Sequence, residues 1–151
     1  MSNTRDASEP AEHVIHAACM CKAVRLELTP PAISCDHCHC SMCRRAHAAP
    51  IVTWSNMPEA QVKVSAGESL LTHYRSSPEA IRSFCSICGT QLMFRSTRWP
   101  GETHVPTATL LDPPDKLPRE HVYYDERVSW YECADDLPKL GGPTGGEPLT
   151  D

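Results

Sequence analysis

The chain has 151 residues and a mass of 16.7 kDa, the size of a single domain. Fourteen Lys and Arg against nineteen Asp and Glu leave a formal charge of -5 and a pI near 5.9, a balance that argues against gripping phosphate backbones. No run approaches the roughly 20 apolar residues that span a bilayer, and the polar stretch Met1 to Glu12 lacks a signal-peptide core, so the expectation is a cytoplasmic protein with neither membrane nor nucleic acid as partner.

The composition predicts a tail over 1–12, a folded unit over 13–140 and a flexible tail over 141–151. The last of these holds four of the seven glycines, interleaved with Pro143 and Pro148. Within the folded unit, Val24, Leu26 and Leu28 alternate with Arg25 and Glu27 and stop at Pro30-Pro31. Ser41 to Ala46 is a candidate for one or two helical turns. Short apolar runs follow at Ile51–Trp54, Val62–Val64, Leu70–Tyr74, Leu92–Phe94, Val105–Leu110 and His121–Tyr124. Runs this short, rich in β-branched and aromatic residues and closely spaced, predict a mainly β domain. Asp112-Pro113-Pro114 reads as an N-cap with prolines in a first turn.

Aromatic residues are few (two Phe, three Trp, four Tyr), whereas Cys reaches nine. A core short of large side chains needs staples. An odd number of cysteines without an export signal points to metal or chemistry rather than to a disulfide framework. Cys19-Met20-Cys21 and Cys85-Ser86-Ile87-Cys88 fit the plan of two half-sites that together make a closed four-thiolate zinc site, buried free thiols being the other reading. Gly89 lets the chain turn just after the last ligand. By analogy with a disulfide closing a loop of this length, such a clip is worth roughly 4 kcal/mol of unfolded-state entropy, before the metal-ligand free energy is added.

Cys38, Cys40 and Cys43 offer three thiolates from one short loop, with no distant pair left to complete them. Three protein ligands and an open fourth position is the plan of a catalytic zinc site. Three thiolates make that zinc a weak Lewis acid, suited to a soft sulfur ligand such as a substrate thiol. Cys35 could instead close the site and make it structural. His37 and His39 are other fourth ligands, although His39, lying between two ligands, is expected to point away. Arg44 and Arg45 read either as solvated surface or as counter-charge for thiolates or an anionic substrate. The remaining histidines, His121 among them, have no metal-site spacing and read as scaffold.

The ordered set Cys19-Met20-Cys21, Cys38-His39-Cys40-Ser41-Met42-Cys43-Arg44-Arg45, Tyr74-Arg75-Ser76-Ser77 and Phe84-Cys85-Ser86-Ile87-Cys88-Gly89-Thr90 resembles the glutathione-dependent formaldehyde-activating enzyme family, whose domain is shared with centromere protein V. Leu111-Asp112-Pro113, Leu117-Pro118 and Ser129-Trp130 agree, so the likeness covers about 17–140. The resemblance implies a β-tent fold of small antiparallel sheets, similar to methionine sulfoxide reductase B domains and stabilised by zinc. It implies two Zn2+ per chain, a structural one on Cys19, Cys21, Cys85 and Cys88 and a catalytic one on Cys38, Cys40 and Cys43. The implied activity is that of a carbon-sulfur lyase joining formaldehyde to glutathione as S-hydroxymethylglutathione, or reversing that step, with a thiol or aldehyde as partner; a homo-oligomer is compatible with it. Another small electrophile such as an imine, or a non-catalytic binding module, are the alternatives. Lys22 stands where the family has Gly; if the backbone is kept there, it needs positive φ at a cost on the order of 1 kcal/mol.

Overall fold

A computed structural model describes residues 13–150. The expected tail over 1–12 lies outside the described residues. Among the described residues, twelve short strands, one short α-helix and four single 3-10 turns make a mainly β domain. Strands β1 (Ile15–Ala18), β2 (Arg25–Leu28) and β5 (Val62–Ala66) form a three-stranded antiparallel sheet. The larger sheet has seven strands in the order β10 (His121–Val122), β3 (Ser34–Cys38), β4 (Val52–Pro58), β9 (Glu102–Pro106), β8 (Gln91–Ser96), β7 (Ala80–Cys85), β6 (Leu71–Ser77). Its pairs are antiparallel except β10 on β3, which is parallel. A two-stranded hairpin, β11 (Leu140–Gly141) with β12 (Glu147–Pro148), ends the described chain.

The alternation at Arg25–Leu28 is a strand as expected: Leu26 and Leu28 are buried and Arg25 is exposed. Strands β1, β3 and β7 lie outside the predicted apolar runs. Two of them carry cysteines, and Cys counts as a small buried hydrophobe when the sheet encloses it. Asp112 caps no helix. Its carboxylate instead accepts hydrogen bonds from the backbone N–H of His16 at 2.8 Å and from His16 Nδ1 at 2.9 Å, and two prolines cannot extend such a turn into a ladder of N–H donors.

Where composition predicts a flexible tail beyond 140, the described residues fold back onto the domain. Tyr123 N–H donates to Gly145 O at 3.0 Å, and Arg98 Nη2 donates to Pro143 O at 3.1 Å. Glycine is what makes the fit. Gly145 has a φ of +79°, and a Cβ there would collide with the Tyr123 ring.

Burial divides between two clusters. Ile15, Val24, Leu26, Leu28, Met57, Leu92 and Val105 pack together with Cys19 and Cys85. Val52 and Trp54 pack with Cys38 and Cys43, backed by Phe94 and Tyr123. Each group of cysteines therefore contributes buried sulfurs to its own apolar nucleus, with Cys21 left exposed, which is how a chain with two Phe fills its interior. Among the described residues, no helix is long and apolar enough to cross a membrane.

Candidate metal centres and pocket

Cys19 and Cys21 lie in the turn after β1, closed by Lys22 N–H donating to Cys19 O at 2.9 Å. Lys22 has a φ of +61°, the left-handed geometry that the Gly-to-Lys difference implied. Cys85 ends β7 and Cys88 follows in a knuckle in which Gly89 N–H donates to Cys85 O at 2.8 Å and Gly89 has a φ of +77°. Met20 N–H donates to Thr90 Oγ1 at 3.1 Å and ties the two loops together. All four sulfurs lie within 4.8 Å of one another, with Cys19 to Cys21 at 3.5 Å and Cys21 to Cys85 at 3.8 Å. Four sulfurs placed 2.3 Å from a tetrahedral zinc stand about 3.8 Å apart, so the set fits such an ion. Cys88 is held down at about 5, first by the Thr90 hydroxyl 3.2 Å away. Cys21 has a backbone hydrogen bond at Ala23 that favours its thiolate, yet desolvation and the neighbouring sulfurs push it up to about 12. Unequal thiols of this kind lose their protons together only when a cation takes their place.

Cys38 ends β3, Cys40 lies just before helix α1 (Ser41–His47), and Cys43 is inside it. The Cys38 and Cys43 thiols hold Cys40 down to about 2, with help from the backbone N–H groups of Cys43 and Met42. Cys38, nearly enclosed, is pushed up, first by Cys40 and then by Cys43. The three interact but are not gathered as tightly as the outer four, which alone among the all-cysteine sets of described residues meet the 4.8 Å spacing. They open onto a cavity of about 420 Å3 walled by Trp54, Phe94 and Tyr123.

Cys35 is one residue out of phase with Asp36 and Cys38 on β3, so it faces the opposite side of the sheet. Its thiol lies 3.7 Å from Thr107 Oγ1 and it does not line the cavity. It is not in position to close the central site. His37 faces away as well, its Nδ1 bonded to Thr53 Oγ1 at 2.8 Å.

His39 turns back beneath the loop. Its Nε2 shares a hydrogen bond with His121 Nδ1 at 2.8 Å, and His121 Nε2 donates to the Asp135 carboxylate at 3.0 Å. Burial, then the positive groups around it, hold His39 down to about 4, so it is neutral at pH 7. His39, His121 and Cys133 have ligand atoms within 4.8 Å of one another. Two nitrogens on one tetrahedral zinc stand about 3.3 Å apart; at 2.8 Å this pair shares a proton. Nothing in sequence spacing flags the chain His39–His121–Asp135, because its members are 82 and 14 residues apart.

Arg44 is a strut, donating to His39 O and to Glu126 O, each at 3.1 Å, and Arg45 donates to Ser41 O at 3.2 Å. The cation that reaches the cavity beside the cysteines is Arg82 on β7. It is 5 % exposed, its Nη2 donates to Cys43 Sγ at 3.5 Å, and its Cζ lies 4.9 Å from the Phe94 ring centre. β7 thus serves both clusters, with Cys85 in the first nucleus and Arg82 in the second.

These features define a mainly β domain whose cysteines gather into one group fitted to a tetrahedral metal and a second at a cavity wall. Residues 14–126 match the family described as glutathione-dependent formaldehyde-activating enzyme, and the chain belongs to that family. It is 36% identical over 83 residues to an uncharacterized lyase of Schizosaccharomyces pombe, a match covering 52% of this chain and 56% of that relative, so it spans little more than half of that protein's length. A Halomonas elongata protein named "Putative glutathione-dependent formaldehyde-activating enzyme" is 25% identical over 130 residues, 79% of this chain and 80% of that one. A crystal structure of a Rhodobacter sphaeroides protein superposes with a TM-score of 0.56 at 25% identity, covering 66% of this chain and 91% of the other.

Proposed function

We propose that the protein is a zinc-dependent carbon-sulfur lyase acting on thiol–aldehyde adducts, with glutathione and formaldehyde as the first pair to test. Family membership and the lyase and formaldehyde-activating names of its relatives support this reading. The single observation that carries it is the placement of Cys38, Cys40 and Cys43 on the wall of an aromatic cavity, with Cys35 turned to the other face. In this reading Cys19, Cys21, Cys85 and Cys88 hold a structural Zn2+, and Cys38, Cys40 and Cys43 hold a second with room for a substrate sulfur. Zinc, when bound, supplies thiolate at neutral pH by lowering a thiol's pKa.

The protein's own groups do the remaining work. Trp54, Phe94 and Tyr123 exclude water from the reacting atoms. The His39–His121–Asp135 chain fixes the loop between Cys38 and Cys40, because rotating His39 would strand buried ring nitrogens. Arg98 on the cavity wall offers positive charge to a substrate's carboxylates. Nine cysteines outside any disulfide suit a reducing, cytoplasmic setting.

The test is metal content by mass spectrometry, followed by adduct formation and decay from formaldehyde and glutathione for wild type and Cys40→Ser. The expected result is two zincs, one lost to a mild chelator while the fold survives, and a rate enhancement that the substitution abolishes. Two equally inert zincs and an unchanged adduct rate would overturn the reading in favour of a binding module.

A further inference from the structure

Arg82 holds more donors than its surroundings use. It is buried, yet its partners are the Cys43 sulfur, 3.5 Å from Nη2, and the face of Phe94. Nη1 is shielded from solvent and has no hydrogen-bond partner. An enclosed guanidinium with a free N–H is costly unless something it binds supplies the missing acceptor.

The carboxylates on the cavity wall do not supply it. Asp36 is taken by Ser34 at 2.7 Å, Asn56 at 2.7 Å and Arg119 at 3.1 Å. Glu102 bonds His104 at 2.7 Å, Glu120 pairs with Arg119 at 3.3 Å, and Glu79 accepts from Ser77 Oγ at 3.3 Å. Each carboxylate has a partner of its own, and buried groups without a partner, His47 Nε2 and Ser76 Oγ among them, make no hydrogen bond to Arg82, so the guanidinium is left for a ligand. Its position beside Cys43 also selects which part of the ligand it meets. The carboxylates of a glutathione-like thiol lie many bonds from its sulfur, whereas the oxygen of a thiol–aldehyde adduct is two bonds away.

We infer that Arg82 is a catalytic residue whose guanidinium, lining the cavity beside Cys43, binds the substrate oxygen that becomes negatively charged, an inference resting on the lyase reading above. In the forward direction the thiolate sulfur forms a bond to the carbonyl carbon, the carbonyl π pair moves to oxygen, and the alkoxide takes a proton from water. In reverse the hydroxyl gives its proton to water, an oxygen lone pair re-forms the carbonyl π bond as the carbon–sulfur bond breaks, and that bond's electron pair returns to sulfur. Arg82 donates a hydrogen bond to the oxygen throughout, while the proton passes to and from water. A donor fixed beside an enclosed site is aimed before the reaction begins, which is where oxyanion stabilisation is strongest.

The test compares wild type, R82K and R82M as full-length zinc-loaded proteins, with circular dichroism as the folding control. Three readouts are needed: kcat at saturating glutathione, the charge-transfer band of cobalt-substituted protein on adding glutathione, and quenching of tryptophan fluorescence by formate, a one-carbon oxyanion. The expected result for R82M is a glutathione half-saturation within threefold of wild type, a kcat lower by about 10²–10³-fold, and loss of the formate response. R82K recovers part of kcat and carries the comparison if R82M does not fold. An R82M or folded R82K kcat within threefold of wild type overturns the inference. So does lost glutathione affinity with kcat intact, which would make Arg82 a carboxylate clamp. If glutathione leaves the wild-type cobalt band unchanged, the lyase reading fails, and formate binding that depends on Arg82 still decides whether this is an oxyanion site.

Discussion

Replacing Cys85 by Ser separates the contribution of the four-sulfur clip from that of ordinary packing. Cys85 is 0 % exposed and joins β7 to the turn holding Cys21, 64 residues earlier in the chain. Closing a loop of that length lowers unfolded-state entropy by about 4 kcal/mol on the chain-entropy relation for cross-links. Placing a hydroxyl in the same apolar nucleus costs a further ~1–3 kcal/mol. Against a domain stability of roughly 5–15 kcal/mol, the sum is enough to unfold a marginal protein. The assay is urea denaturation of wild type and C85S, each with and without a strong chelator. The clip's metal term should be confined to untreated wild type, so that chelation costs wild type about 4 kcal/mol or more beyond what it costs C85S, which keeps only the central site. A C19S/C85S double variant should lose little beyond either single one, because the first substitution has already opened the clip. If chelation shifts wild type by less than about 1 kcal/mol, or if the two substitutions add, the cysteines do not act as one cross-link and the argument fails.

Acid should weaken the fold through His39. Burial holds its folded pKa near 4 against an ordinary 6.5, so its contribution is fully present above pH 6.5 and is lost as pH falls towards 4. That amounts to about 2–3 kcal/mol between pH 7 and 4.5; urea titrations at the two pH values should show a smaller loss in H39Q than in wild type, and equal losses would refute the assignment. Gly67→Ala should lower the melting temperature by several degrees, since Gly67 has a φ of +73° and a Cβ would meet the Ala23 carbonyl, with roughly 1–3 kcal/mol from the backbone alone. Cys35→Ala should leave metal stoichiometry by native mass spectrometry unchanged; loss of one ion would place Cys35 among the ligands after all.

The mainly β character was legible because burial on a sheet face writes itself as period two, as Leu26 and Leu28 do. The convergence of Cys19, Cys21, Cys85 and Cys88 was legible because thiolate half-sites have a fixed local spacing. Strands β3 and β7 were not, since their inward positions carry Ser, Asp, Cys and Arg rather than aliphatic residues. The orientation of Cys35 follows from the phase of β3, which cannot be read until the strand is known. Arg82, His121 and Asp135 are set by contacts across 39, 82 and 14 residues, and no local pattern encodes them. The glycines at the end of the chain read as slack, whereas Gly145 is required by the Tyr123 ring lying against it.

That last hairpin has a consequence for the shape of the chamber. The family match stops at residue 126, while Thr144 and Gly146 still line the cavity. The cysteine scaffold and the final wall of the chamber therefore belong to separable stretches of polypeptide. A chain ending at Leu140 would keep every cysteine of both groups and lose this wall.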